Sequence, residues 1–382
     1  MREGVAATTA LRASWAVVEK LGDHAAGYFF AALFALDPGL RDRFPVAMGE
    51  PRDRLLATLG QLISHVDDRP ALTAFAARLG REHRRFDVRP EHYPLFRQAL
   101  LHTLARLLGE DWTPELAARW STLYEQLADV MTEAATQSAR QGPARWDAEI
   151  VSHERRAADI AVIVARVAGD EPPGYRWRAG QSVAVESHRR PRVWRYLSPA
   201  NHPDPEGTVE FHVRAVPGGQ LSPALVYQAQ VGDVLHLSAP AGDRLTVPPG
   251  PGPDLLLLAG GTGLAPMRAI VEQLAQANDR RKVTLIAGTA YRHELYDMET
   301  LWALGRRHRP LTLLAALSAD PALGAPHTVA EAAVRNGSWH DRQIYVCGSP
   351  AMVAGTRALL TARGYPPEAF HIERPPAYGP WA

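Results

Sequence analysis

One cysteine, Cys347, stands in a chain of 382 residues, so no internal disulfide can form and a disulfide-stapled fold is excluded. No apolar run approaches the roughly 20 residues that span a bilayer as a helix. The opening MREGVAATTALRASW lacks the long apolar core of a secretion signal, so the reducing cytoplasm is the expected compartment. Charge of one sign is also missing. Forty-two basic residues against 41 acidic leave a formal charge of +1, which gives no general electrostatic reason for a nucleic acid or an anionic membrane as partner. Small-molecule chemistry is favoured.

What is present is the composition of a soluble globular protein, 46% hydrophobic and 22% charged, at a length that suggests two or three domains of roughly 100 to 200 residues each. Three periodicities divide it. From Thr9 to about Arg140 apolar residues recur at helical spacing, as in Leu55, Leu59, Leu62 and Val66. Pro38, Pro70, Pro90 and Pro114 fall between the stripes, where proline opens helices. Near Gln141-Gly142-Pro143 the pattern turns to short alternating runs such as Val209, Phe211 and Val213 between Glu210, His212 and Arg214, a β-domain with one wet face. Repeated Gly and Pro clusters suit a small antiparallel barrel. Beyond the linker Pro248 to Pro253, Leu255–Ala259, Val283–Ala287, Leu311–Leu317 and Ile344–Cys347 read as buried strands alternating with helices, a parallel α/β sheet. The expected order is an all-α domain over residues 1–146, an antiparallel β-barrel over 147–252 and an α/β domain over 253–382.

Leu72, Phe75, Leu79 and His83 lie three or four residues apart, which turns the His83 imidazole inward on a helix. Alone, such a histidine is more often a core residue with a hydrogen-bond partner than a metal ligand. The surrounding GREHRRFDVRPEHYPLF and the earlier FALDPGLRDRF resemble the proximal and corner regions of flavohaemoglobins. The resemblance implies a globin domain with His83 as axial ligand to the iron of haem b. It also implies Phe44 packed flat on the porphyrin, Leu55 on the distal side and Tyr93 as the proximal tyrosine. His24, His65, His92 and His102 have no matching motif and read as surface or structural. On the distal side Phe30 stands where the family carries a tyrosine, and Tyr28, about 200° around the helix, faces elsewhere. Pro51 stands at the distal glutamine, with Glu50 or Arg52 one residue away. Glu82 replaces the lysine before the ligand, and the family's last-helix glutamate falls near Ala135 or Gln137, so no proximal charge relay is expected.

The string RVWRYLSPA resembles the R-x-Y-S motif of ferredoxin-reductase-like flavin barrels. By that resemblance Arg195 meets the FAD pyrophosphate, for which a guanidinium fork is suited, and Ser198 reaches the isoalloxazine. The usual tyrosine position is Leu197, with Tyr196 displaced by one onto the other face of the strand. Gly218-Gly219-Gln220-Leu221-Ser222 resembles the glycine turn that admits a pyrophosphate. Gly180-Gln181-Ser182 resembles the P-G-Q strand, placing Gln181 at the flavin and Ser182 where an aromatic often stands.

Leu255 to Ala259 runs into Gly260-Gly261-Thr262-Gly263-Leu264-Ala265-Pro266-Met267, then a helix over Arg268 to Ala277. Strand, glycine loop and helix make a phosphate cradle of free N–H groups at a positive helix end. GGTGLAPM closely resembles the nicotinamide loop of the same reductases. Cys347-Gly348-Ser349-Pro350-Ala351-Met352 resembles their C-G-P-x-x-M segment, with Cys347 beside the nicotinamide ring, although alone it reads as a small buried hydrophobe. The family closes on an acidic residue, here Glu373, and a flavin-covering aromatic. That aromatic is missing in register, leaving Tyr378 or Trp381 as substitutes. The arginine used for the NADPH phosphate reads Ala290, with Arg292 close by, which favours NADH over NADPH.

The resemblance implies a monomer in which hydride passes from nicotinamide to FAD and electrons pass singly to haem. The haem binds oxygen and converts nitric oxide to nitrate, with Phe30, Tyr93 and Ser198 set against the reacting groups. Replacement of the distal donors keeps two alternatives open: an oxygen, peroxide or alkyl-hydroperoxide reductase, and a haem-based gas or redox sensor.

Overall fold

The computed structural model describes residues 2–168, 174–204, 206–320 and 327–373. Described residues up to Arg145 form one compact unit and those from Trp146 onward another.

The first unit is all-helical: α1 (Arg2–Glu19), α2 (Asp23–Leu36), α3 (Gly49–Ser64), α4 (Arg69–His83), α5 (His92–Leu108) and α6 (Pro114–Ala139). Side-chain caps set the starts. Asp68 accepts from the Ala71 amide and Thr113 from the Leu116 amide, each followed by proline in the first turn. Pro38 likewise opens the short 3₁₀ turn Pro38–Arg43 under an Asp37 cap. Phe29, Leu33, Leu104 and Trp120 centre one apolar core. A second gathers Phe75, Leu79, Tyr93 and Met131 where α4 meets α6. A Cβ on Gly80 would lie 2.2 Å from the Met131 carbonyl oxygen, so the two helices approach this closely only because residue 80 has no side chain. Among the described residues no helix is long and apolar enough to cross a membrane.

The second unit opens with a barrel: β1 (Trp146–Arg155), β2 (Ile160–Val167), β3 (Val183–Ser187), β4 (Arg190–Leu197), β5 (Thr208–Arg214), α7 (Leu221–Tyr227) and β6 (Val234–Leu237). The sheet runs β4-β3-β6-β1-β2-β5, antiparallel throughout. A bridge between Pro199 and Phe211 brings the chain after β4 back onto β5 and closes the curl. Its core holds Ile150, Ile163, Val185, Phe211 and Leu235, with Leu221 and Leu225 of α7 plugging one end.

The α/β part follows: β7 (Asp254–Gly260), α8 (Leu264–Gln276), β8 (Val283–Thr289), α9 (Met298–Arg307), β9 (Leu311–Leu317), α10 (Val329–Asn336), β10 (Arg342–Cys347), α11 (Pro350–Ala362) and β11 (Phe370–Ile372). The parallel order is β11-β10-β7-β8-β9. The chain steps outward from β7 through β9, then crosses to the other side of β7, which makes a topological switch between β7 and β10.

One expectation is overturned here. The alternate face of β5 is not wet: His212 is buried and Glu210 half-buried. Both are covered by Arg268 of α8 and by Tyr296 and Asp297. Arg268 grips Glu210 with two bonds of 2.6 and 3.1 Å and reaches Glu272 at 3.1 Å. His212 bridges the Tyr296 hydroxyl at 2.8 Å and Glu210 at 2.9 Å, while Arg156, just after β1, holds the fully buried Asp297 at 2.6 Å. A polar strand face can be buried because each charge on it has a partner.

Burial pushes the Glu210 pKa up, but hydrogen bonds from His212 and Arg268 outweigh it and hold it at about 2. A carboxyl depressed on folding contributes stability that is complete above its unfolded value near 4.5 and is lost as pH falls toward about 2. Glu210→Gln is expected to lower the stability of this unit at neutral pH by about 2 kcal/mol, since it weakens the charge-assisted bonds to Arg268 while Glu272 and Asp297 still partner the guanidinium. It should also flatten the acid limb in that window. Urea unfolding across a pH series reads both, and a variant that matches the parent at neutral pH would show that the grip contributes nothing.

Candidate functional site

In the helical unit His83 closes α4. Its Nδ1 lies 2.7 Å from the Leu79 carbonyl oxygen. A carbonyl can only accept, so Nδ1 carries the hydrogen and Nε2 keeps its lone pair. Burial, reinforced by Arg85 and opposed by the Leu79 bond, pushes the imidazole pKa down to about 4, so the ring stays neutral at physiological pH. His83 is half-buried. Half-buried apolar side chains, among them Leu59, Leu72, Val88 and Leu127, adjoin the core that α4 helps to build. A single neutral imidazole in apolar surroundings fits the iron of a porphyrin, whose own nitrogens fill the other equatorial positions.

Phe30 is buried on α2 and meets Phe44 edge-on at 5.2 Å, with Phe34 packed against both. Leu55 of α3 lines a small apolar cavity with Phe29, Leu59, Leu100 and Leu104. Tyr28 stacks on His102 of α5 at 6.0 Å, away from the Phe30 cluster. Pro51 lies in the first turn of α3. Its neighbours are engaged elsewhere, Glu50 with Arg54 and Arg52 with Asp23. Tyr93 is buried at the start of α5, where loss of solvent pushes its phenol up to about 12. Glu82 sits 3.7 Å from the buried Arg85, its pKa raised by burial. Ala135 and Gln137 both lie on α6.

In the barrel, Val183 pairs with Leu197, Ala184 with Tyr196 and Val185 with Arg195. Leu197 packs on the barrel core, which leaves Tyr196 on the opposite face by alternation. The Arg195 guanidinium bonds the Trp194 carbonyl oxygen at 2.8 Å. Gln181 is tied down at both ends, accepting from the Arg178 amide at 2.8 Å and donating to the Gly242 carbonyl at 3.1 Å. The turn through Gly218 uses φ of +75° there, a left-handed conformation that glycine adopts without strain. Ser222 folds its hydroxyl back onto the Val216 amide at 3.2 Å. Gln220 precedes α7, and Leu221 belongs to the barrel core, so it offers the turn only its backbone.

At the switch point the loops after β7 and β10 touch. A Cβ on Gly263 would lie 2.3 Å from the Cys347 carbonyl oxygen, and one on Gly348 would meet the Met352 sulfur at 2.9 Å and the Gly260 Cα at 3.2 Å. Thr262 lies between, and Leu264 and Pro266 are buried where α8 begins. Cys347 ends β10, and burial, with Glu373 alongside, pushes its thiol up to about 12. Glu373 follows β11. Burial raises its carboxyl pKa, against hydrogen bonds from Ser182 and Ser198. The arrangement therefore gathers the glycine loop, Cys347, Glu373 and Ser198 at the carboxyl ends of the strands, where open α/β sheets bind nucleotides. Tyr378 and Trp381 lie outside the described residues.

Two residues at this place were not found from the sequence. Arg214, at the end of β5, puts Nη1 3.3 Å from where a Gly261 Cβ would be while pairing with Asp159 at 3.1 Å. Ser182 was noted only as a missing aromatic. An arginine ending an alternating strand could have pointed to a phosphate partner, but nothing local tied it to a glycine loop 47 residues on.

Residues 27–131 match the globin family, 147–244 the oxidoreductase FAD-binding domain and 257–358 the oxidoreductase NAD-binding domain. The chain is 30% identical to a flavohemoprotein of Deinococcus radiodurans over 97% of its own length and 95% of that protein's. It is also 30% identical, over 60% of its length and 68% of the relative's, to a reductase component of terephthalate 1,2-dioxygenase from Comamonas. Among solved structures it shares the fold of a Malassezia yamatoensis flavohemoglobin with bound FAD and heme. The TM-score there is 0.78 at 19% identity, covering 96% of this chain and 98% of that one.

Gly263→Ala tests the loop. The added methyl must push the loops after β7 and β10 apart, and overpacking of this kind costs about 1–3 kcal/mol. Titration with NADH is expected to show binding weakened roughly five- to hundredfold. Gly355→Ala, where nothing lies within 4 Å, should bind like the parent.

Proposed function

The chain belongs to the flavohaemoprotein family, and from that premise we propose that it is a nitric oxide dioxygenase that draws electrons from NADH. The observation carrying this reading is a neutral imidazole with a free Nε2 on the same polypeptide as a nucleotide site at a sheet switch point. When bound, FAD takes an electron pair as hydride from nicotinamide and releases electrons singly to haem, where nitric oxide, dioxygen and one electron give nitrate.

His83 holds the iron through Nε2, its ring fixed by the Leu79 carbonyl. That partner is neutral, so the imidazole lacks the added basicity a carboxylate would confer. Tyr93 keeps its proton and serves as a neutral hydrogen-bonding group on the proximal side. Phe44 and Leu55 pack around the porphyrin, and Phe30 presents a hydrocarbon face to the distal space. Arg195 and the backbone of Gly218 to Ser222 hold the FAD pyrophosphate. Gln181 pins the loop at Gly242, Ser198 reaches the isoalloxazine, and Tyr196 or Leu197 packs beside it. The backbone from Gly260 to Leu264 receives the nicotinamide nucleotide's pyrophosphate, with Pro266 rigidifying the helix start. Cys347 and Gly348 leave room for the nicotinamide ring.

Donor choice follows from the end of β8. The Glu294 carboxylate accepts from the amides of Ala290 and Tyr291 at 2.9 and 3.1 Å, and Asp320 accepts from Arg292 at 3.3 Å. These carboxylates occupy the amides and repel a 2′-phosphate, and an acidic residue there suits a free ribose hydroxyl.

Phe30 and Pro51 offer no distal side-chain donor, which favours a second reading, reduction of hydroperoxides. Stopped-flow consumption of nitric oxide against NADH oxidation, with nitrate measured, decides between them. Two nitrates per NADH are expected. NADH oxidation driven by hydroperoxide but not by nitric oxide would establish the rival. His83→Ala is expected to lose the Soret band and nitric oxide consumption while still reducing an artificial acceptor with NADH. A normal Soret band would remove His83 as the ligand.

Phe30→Tyr supplies a phenol on the inner face of α2. One added hydrogen bond is worth about 1 kcal/mol, so dioxygen release should slow roughly fivefold in flash photolysis. An unchanged rate would mean that another group already donates there.

A further inference from the structure

Two strand registers converge on Glu373. Across the barrel ladder Val183 faces Leu197, so the next pair outward is Ser182 with Ser198, side chains on one face. In the α/β sheet Val346 is level with Ile372, so the next level holds Cys347 and Glu373. Both serine hydroxyls hydrogen-bond the Glu373 carboxylate. Ser182 is buried, and its backbone is fixed by a reciprocal pair of bonds with Ala241 at 2.9 and 2.8 Å. Gly242, at φ of +86°, completes the wall: its Cβ would lie 3.4 Å from Oε1 of Glu373.

We propose that Ser182 is a positioning residue of the reductase site, forming with Ser198 a two-hydroxyl clamp that fixes the Glu373 carboxyl beside Cys347. The inference rests on the reading that the nicotinamide lies at Cys347. In that reaction a nicotinamide C–H bond breaks, the hydride and its electron pair pass to the flavin, which is reduced, and the oxidised nicotinamide is left positively charged. A carboxylate held in place stabilises that developing charge, and a protonated one does not. Burial works against the ionised form, and the hydroxyls work for it. Among the described residues, the titratable and charged groups around the carboxyl are the Cys347 thiol on β10 and, on its own strand, His371, itself next to Arg244 from the segment after β6. The thiol remains protonated, so among the described residues the serines are the local groups that favour the carboxylate.

The test uses the full chain with its flavin. Infrared titration follows the protonated-carboxyl band that Glu373→Gln removes, and rapid mixing with NADH follows flavin reduction across pH. Ser182→Ala is expected to move the infrared midpoint up by roughly one pH unit, and the acid limb of flavin reduction with it. Ser182→Thr, which keeps a hydroxyl, should stay near the parent. If Ser182→Ala loses flavin, Ser182→Thr against Ser182→Val makes the same comparison between near-isosteric side chains. An infrared midpoint that does not move in Ser182→Ala overturns the clamp, as does an equal shift in Ser182→Thr. A moved midpoint with flavin reduction indifferent to Glu373→Gln upholds the clamp and overturns the placing of nicotinamide beside it.

Discussion

The grip of Arg268 on Glu210 ties the barrel to the α/β sheet, and the geometry of the nucleotide site depends on it. Arg268 lies one turn into α8, the helix that begins where the glycine loop ends, while Glu210 belongs to β5, whose last residue, Arg214, reaches that loop. Leu245 and Val247 pack into the α/β core just before the Pro248 to Pro253 connection. The fork adds a directional tie, because a bidentate pair constrains orientation as well as distance. Around it Glu272, Asp297, Arg156, His212 and Tyr296 supply each buried charge with a partner. A buried ion pair is weak evidence for stability by itself. Its better-attested role is to specify one arrangement, and hydride transfer requires one.

The nucleotide site then follows from register. Parallel pairing levels Cys347 with Ala259 on one side and, one step past Val346 and Ile372, with Glu373 on the other. The barrel ladder sets Ser182 opposite Ser198 at its mouth. No single segment contains the site. Gly263 can sit against the Cys347 carbonyl only because it has no side chain, so the glycine that frees the loop to meet phosphate also lets the two crossover loops close on each other.

Much of this was legible in the sequence, for identifiable reasons. Leu255 to Ala259 running into GGTGLAPM announces strand, loop and helix because a buried parallel strand is continuously apolar and the cradle needs glycine. The helical third was legible because its stripes are long and its prolines and caps fall at their ends. What stayed hidden was whatever depends on a distant partner. The alternation of Val209, Phe211 and Val213 correctly marks an inward face, but the polar residues between them read as wet, since nothing near Glu210 reveals an arginine 58 residues later. The three-residue β11 is too short to show a period and exists because β10 offers it an edge. Ser182 looked like an absence, a missing aromatic, until pairing set it across from Ser198.

The helical unit shows the same division between local pattern and tertiary consequence. Spacing alone turns His83 inward. The tautomer that leaves Nε2 with its lone pair comes from the Leu79 carbonyl one turn back, a bond that the helix supplies whatever residue occupies position 79. One turn before His83 on the same helix, Gly80 lets α4 approach α6 closely at Met131. The distal side follows a different logic. Phe30, Phe34 and Phe44 pack ring against ring where, by the proposed correspondence, the family places a hydroxyl. On the proposed reading these three side chains offer only hydrocarbon to the haem, so ligand selection there would rest on apolar shape.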